Sequence, residues 1–401
     1  MMFSCEAGAD KVSFELQQIT SGPKHHLFGY VGHALTIPWN QSGRYIVSLR
    51  TDFSERMPTK GEAAEIVIID TQKNFEVLVL DRTLAWNLQQ GTMLYWNPKA
   101  PDTQFFFNDL DPQTGVVFTV LYDIEKRQRI REYRFGNESI ANGGIAPGGE
   151  YFVGINYGKI SRLREIISYA GASDSTLRGP ANPDDDGVFK VNIASGKKEL
   201  LVSYSKLAKF LKIDDSNYYP IYVHHTLWNR SSDRLIFIVR GAGKVNGRSK
   251  YPNVGCVIHA DGSNLGRIQY SGHPEWYEGN QLVLPGESNF DLFDVDTKKV
   301  VGHIGEEGIF PTPGNDNAYS PDGKWYVCSH RPEKAKRHFI FFRFSDKAHF
   351  VSPILRGRVD RGVTRIDGAP RWNRTSDAIL AGGIAEDGSR QLFILRILGA
   401  R

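Results

Sequence analysis

The chain has 401 residues, a formal net charge of +4, 40 glycines, 19 prolines and 12% aromatic residues. That is too long for one compact core unless a closed repeat architecture carries it, and the glycine and proline content points to many short strands and turns. The small charge excess argues against a nucleic-acid partner, and no run of about 18 apolar residues suits a membrane span. Three cysteines, Cys5, Cys256 and Cys328, form no metal-type pair and read as reduced thiols. The opening MMFSCEAGADKVSFEL has neither the basic start nor the apolar core of a secretory signal, so a cytoplasmic protein is the expectation.

Taken in chain order, one phrase returns seven times: an aromatic residue ending a strand, a tight polar turn, and a second strand. Trp39 is followed by NQSGRYIVSLR, Trp96 by NPKAPDTQFFFND, and Ile145, a degenerate copy, by APGGEYFVGIN. Trp228 is followed by NRSSDRLIFIVR, Trp276 by YEGNQLVLPG, Tyr319 by SPDGKWYVCSH and Trp372 by NRTSDAILAGG. A second hairpin follows most copies, as in AEIVIIDTQKNFEVLVLD at 64–81 and NFDLFDVDTKKVVGHIG in the fifth unit. Alternating apolar residues around Asp-Gly, Ser-Gly or Asp-x-x-Lys turns are the mark of antiparallel hairpins.

Four strands per 43–57 residues, with one interval of 83, is the spacing of a propeller. The chain is therefore expected to be all-β, a single seven-bladed β-propeller domain over residues 1–401. The seventh unit ends one strand short at Arg401, and KVSFELQQIT at 11–20 can supply it, which removes an exposed edge. The long interval holds insertions at 157–187 and 205–220, and SKLAKFLKI within the second reads as a short helix. Long loops in a compact repeat protein usually serve a site.

Antiparallel pairing puts the residue three before each aromatic near the residue eleven or twelve after it, at one edge of the ring. That edge collects Thr36, Met93, Asn142, His225, His273 and Asp316 with Arg50, Asn108, Asn156, Arg240 and His330. Neighbours and loop continuations add His33, Arg56, Gln90, Tyr157, Arg162, Arg164 and Arg331. The opposite edge carries ordinary turns such as NQSGR and SPDGK. His225, His273, Asp316 and His330, on three neighbouring blades, could hold a divalent metal, Mn2+ or Zn2+, or else form a hydrogen-bonded pair without one. Arg50, Arg56, Arg162, Arg164, Arg240 and Arg331 suit capture of a carboxylate or phosphate, with Gln90, Asn108, Asn142 and Asn156 as further binding groups. His33, Tyr157 and Tyr169 are acid–base candidates. NPDDDG at 182–187 fits Ca2+ or a solvated acidic turn. No phosphate loop, nucleophile elbow or CxxC pair is present.

HHTLWNRSSDRLIFIVR, GHPEWYEGNQLVL and NAYSPDGKWYVCSH resemble the blade phrases of TolB-type propellers, and within that group those of the oligogalacturonate lyase family. The resemblance implies a cytoplasmic enzyme degrading uronic-acid oligosaccharides, Mn2+ held by histidines and a glutamine, and an arginine base in β-elimination. His273 resembles one of the family's metal ligands and His225 a second active-site histidine. Where the family has further histidines, this chain has Asn315, Asp316 and Asn317; Asp316 and His330 are the candidates to replace them. Arg162, Arg164 and Arg240 are the candidates for the base, with His225, His33 and Tyr157 beside them as catalytic residues. The expected function is a lyase acting on an acidic oligosaccharide. The alternatives are a non-catalytic propeller binding a glycan or protein on the same face, and a glycoside hydrolase, for which no carboxylate pair is evident.

Overall fold

The computed structural model describes residues 12–29, 36–213, 219–241, 253–268, 273–311, 315–358 and 362–399, with the backbone of a small hairpin at 244–245 and 248–249. It is a seven-bladed β-propeller of four-stranded antiparallel sheets. Blade 1 comprises His25–Leu27, Tyr45–Thr51, Ala64–Asp70 and Glu76–Thr83, and blade 2 Tyr95–Trp96, Gln104–Leu110, Val117–Asp123 and Gln128–Tyr133. Blade 3 comprises Ile140–Ile145, Tyr151–Asn156, Gly187–Asn192 and Lys198–Ser203, and blade 4 Ile221–Trp228, Arg234–Gly241, Asn253–His259 and Gly266–Ile268. Blade 5 comprises Glu275–Trp276, Gln281–Pro285, Phe290–Asp294 and Lys299–Ile304. Blade 6 comprises Asn317–Tyr319, Trp325–His330, Lys336–Arg343 and His349–Val351, with Leu355–Arg356 also pairing the third strand.

Blade 7 closes the ring as expected. Its strands are Arg371–Trp372, Ala378–Ile384 and Arg390–Leu398, and the N-terminal Ser13–Gln18 pairs with the last of these from Ser13↔Leu398 to Gln18↔Phe393. A strand from the start of the chain thereby covers an edge that would otherwise expose unpaired N–H and C=O groups.

The recurring aromatic residue has a physical task. The indole N–H of Trp96 donates to Pro38 O (2.7 Å), that of Trp228 to Gly144 O (3.2 Å), that of Trp276 to Leu227 O (2.8 Å) and that of Trp372 to Ala318 O (3.2 Å). Each acceptor directly precedes the landmark residue of the preceding blade, so each tryptophan fastens its sheet to its neighbour at the same height. A buried tryptophan supplies large apolar area and needs a partner for its one donor, and this position gives both. The apolar cores follow suit. Leu227, Ile236, Trp276 and Leu282 pack between blades 4 and 5, and Val327, Phe341, Trp372 and Leu395 between blades 6 and 7.

The 83-residue interval holds two short helices, Tyr157–Leu163 and Tyr204–Phe210. Asn156 caps the first by accepting from Lys159 N, and Ser203 caps the second by accepting from Lys206 N. The second helix overlaps the stretch 205–213 that reads as helical in sequence, beginning one residue before it and ending at Phe210. Cys256 and Cys328 are free and buried. No described helix is long and apolar enough to cross a membrane.

Candidate functional site

The inner strand of blade 4 carries two consecutive histidines and departs from regular pairing at them. His224 faces Ile238, but the register then shifts and Leu227 faces Ile236. The bulge puts His225 at a φ of +51°, a conformation that non-glycine residues rarely adopt without a reason. Next to it Thr226 Oγ1 donates to Gly143 O (2.7 Å) in blade 3. A Cβ on Gly143 would lie 2.6 Å from that hydroxyl, and one on Gly144 2.7 Å from Thr226 O, so the close approach requires both glycines.

The bulge also changes the expected pairing. Arg240 faces Tyr222, three residues nearer the strand start than His225. The rule of three before against eleven or twelve after therefore does not hold in blade 4: Trp228 faces Leu235, seven residues on, so regular pairing already sets Arg240 opposite Val223, and the bulge shifts it one residue further.

Four polar side chains follow one another across blades 4 to 6. The rings of His224 and His225 lie 4.2 Å apart, with their Nδ1 atoms hydrogen-bonded. The His225 ring is 5.8 Å from that of His273 and nearly perpendicular to it. His273 Nδ1 lies 2.8 Å from Asp316 Oδ1. Asp316 Oδ2 in turn accepts from Gly368 N (2.9 Å), and Ser329 N donates to the Asp316 carbonyl (2.8 Å). Asn317 Nδ2 donates to the carbonyls of His273 (3.0 Å) and Asn315 (3.1 Å). Thus Asp316 braces His273 by its ring and Asn317 by its backbone carbonyl.

Electrostatics separate the histidines. Burial takes His224 well below the usual imidazole range, and the charges of Arg240, Arg164 and His273 push the same way, so it is neutral. Burial would also lower His273, but the Asp316 charge and hydrogen bond outweigh it and raise its pKa. Burial opposes ionisation of Asp316, yet His273 overcomes this, with Arg337 and Arg371 assisting, and the carboxyl titrates far below the usual range. One neutral imidazole and one favoured imidazolium thus stand in one row, with Arg240 and Arg164 acting on it.

The other expected site residues sit elsewhere. Tyr157 is buried, stacks on Tyr169 (4.7 Å) and donates to Asn142 O (2.9 Å); burial raises both phenols far above their ordinary value. Asn108 and Asn142 form a closed buried network with Thr119 joining blades 2 and 3. Asn156 caps a helix and donates to Asp186. Gln90 is buried, and its backbone N–H donates to Asn87. Arg50 is paired with Glu65 (2.6 Å), Arg56 with Glu62 (2.6 Å) and Arg162 with Asp174 (2.7 Å). Arg331 is exposed and donates to Ile366 O (3.2 Å). His330 stacks on His338 across its own blade (5.0 Å). His33 lies outside the described residues.

The donors do not fit the expected divalent metal. The four expected ligands do not converge on one point: Asp316 is held against His273 Nδ1, and His330 stacks on His338 within its own blade. Among the described residues no three His, Cys, Asp or Glu side chains are grouped to hold a metal ion.

Sequence position alone did not reveal Arg337, Arg371 and Arg390, which are at most 5% exposed in blades 6 and 7. The available signal was an arginine inside otherwise apolar strands, as in PRW at 370–372 and RQLFIL at 390–395.

No protein-family model matches the chain, and no curated protein matches it. Among solved structures, an oligogalacturonate lyase in complex with manganese is similar over 96% of both chains, with 12% sequence identity and a TM-score of 0.55. The β-propeller domain of Myceliophteria thermophila Cps50 (Swd1) is similar over 93% of this chain and 99% of that one, with 12% identity and a TM-score of 0.49. At such identities the likeness is one of fold.

Proposed function

We propose that this protein is a carbohydrate-active enzyme that cleaves an anionic, uronic-acid-containing oligosaccharide by β-elimination at the channel face of blades 4 to 6. The observation that carries the reading is the row His224, His225, His273 and Asp316, with the Arg240 charge acting on His224 and His273 and that of Arg164 on His224. Such a reaction needs a cation against the substrate carboxylate, a base for the α-proton and an acid for the leaving oxygen.

In this reading Arg240 and Arg164 face the uronate carboxylate and stabilise the charge that develops as the α-proton leaves. His225 takes that proton. The electron pair forms the carbon–carbon double bond, the bond to the leaving oxygen breaks, and the His273 imidazolium protonates that oxygen. Asp316 keeps His273 charged and oriented. The manganese of the similar lyase has no matching ligand set among these residues, so none of these steps is assigned to a metal.

The test is a panel of uronate oligosaccharides with and without Mn2+, read by ultraviolet absorbance of the unsaturated product. Product formation that is lost in His225→Ala and His273→Ala, with the fold intact, supports the reading. Binding of the same sugars without product would leave a glycan-binding propeller in its place.

A further inference from the structure

A second feature lies beside the histidine row, between blades 7 and 1. Arg390 opens the third strand of blade 7 and is 5% exposed. One of its terminal nitrogens donates to Leu88 O (3.1 Å), while its Nε has no hydrogen-bond partner. Among the described residues no carboxylate forms an ion pair with it. The aspartate nearby, Asp367, favours the Arg390 charge but is already engaged by Arg365 (2.9 Å). Arg358 and Arg337 add positive charge that opposes its own.

Arg390 lines a small cavity of about 30 Å3 together with Arg371, Gln89, Asp367, Phe28 and Leu380. Gln89 Oε1 and Asp367 Oδ2 also lack partners. A cavity of that size holds a water or two, or one small ion, but not a sugar ring. A buried guanidinium with an idle donor, whose neighbouring carboxylate is shared with Arg365, is costly, and an anion at Nε would offset both deficits. Burial lowers Arg390 only to about 10, so it remains cationic at neutral pH.

We propose that this niche binds one small anionic group, a halide-sized ion or a single carboxylate, with Arg390 Nε as its donor and Arg371 as the flanking positive charge. The site does not depend on the lyase reading, because unreacted protein tests it.

Crystals of the full chain soaked in sodium bromide would show an anomalous peak within hydrogen-bond distance of Arg390 Nε, absent from Arg390→Met crystals. In solution, bromide and formate would raise the melting temperature in a saturable way, and gluconate of equal ionic strength would not. A trigalacturonate soak that displaces the bromide identifies the occupant as a ligand carboxylate, whereas retention of both identifies a free ion. A niche holding only water in the wild type, a bromide peak that survives in Arg390→Met, or an equal rise in all three salts overturns the proposal.

Discussion

His273 Nδ1 lies 2.8 Å from Asp316 Oδ1, and each residue shifts the other toward its charged form. The two contributions have opposite pH limits. The Asp316 part is present above an unfolded carboxylate pKa of about 4 and is lost as pH falls through its depressed folded value. The His273 part is present below an unfolded imidazole pKa of about 6.5 and is lost as pH rises through its raised folded value. The pair therefore stabilises fully between about pH 4 and 6.5. Asp316→Asn should cost on the order of 1–3 kcal/mol in that window and clearly less at about pH 9. Urea denaturation of both proteins at the two pH values checks this; an equal cost at both would show that His273 is not charged by Asp316.

Gly368 supports the same carboxylate. Its N–H donates to Asp316 Oδ2, and a Cβ there would meet Arg337 Nε at 2.6 Å and the Ser329 side chain at 2.7 Å. Arg337 is 4% exposed and donates to Ile366 O (2.7 Å), so it has little room to retreat. Gly368→Ala is expected to cost about 1–3 kcal/mol by overpacking. It should also lower the His273 pKa, since the Asp316 carboxylate loses its anchor. Thermal melts and NMR titration of the His273 ring measure the two effects, and an alanine variant with unchanged values would remove Gly368 from the support.

The fold was readable because each blade repeats one physical unit. The aromatic residue recurs where an indole must reach a carbonyl of the preceding blade, as Trp276 reaches Leu227 O, so its spacing carried the blade count. The site was less readable. His225 and His273 could be placed together because both lie three residues before a landmark. The bulge at His225 could not be foreseen, since a register shift leaves no compositional trace; with the short turn that pairs Trp228 with Leu235, it sets Arg240 opposite Tyr222 instead of His225. Tyr157 and Asn142 looked like rim residues, but the insertion folds back over them and buries both. Arg390 escaped notice because it begins a strand that alignment on the inner hairpin never samples.

The closing strand offers a test of the ring itself. Ser13–Gln18 pairs residue for residue with the last strand, Phe14 lies 5.0 Å from Phe341, and Ile19 N and Thr20 Oγ1 extend the contact to Leu392. Deleting residues 1–20 removes this apolar contact and leaves one edge of Arg390–Leu398 unpaired. The expected result is a loss on the order of 3 kcal/mol from half-buried Phe14 and Leu16 and buried Ile19, together with concentration-dependent association through the bare edge. Denaturant midpoints and light scattering read these outcomes. A truncated chain as stable and monomeric as the full one would mean that the ring closes without this strand.

The positive φ of His225 separates its structural role from its chemical one. A left-handed conformation costs a side-chain-bearing residue about 1–2 kcal/mol, a cost that glycine avoids. Glycine also gives the unfolded chain more freedom, which returns about 0.5–1 kcal/mol. His225→Ala keeps the strain and loses the imidazole, whereas His225→Gly loses both. The glycine variant is therefore expected to match or exceed the alanine variant in stability, by up to about 1.5 kcal/mol, while both lose turnover of uronate oligosaccharides. Parallel urea titrations and product assays decide the matter. If the alanine variant is clearly the more stable, the bulge does not hold residue 225 at positive φ in solution; if either variant keeps full turnover, His225 is not the base.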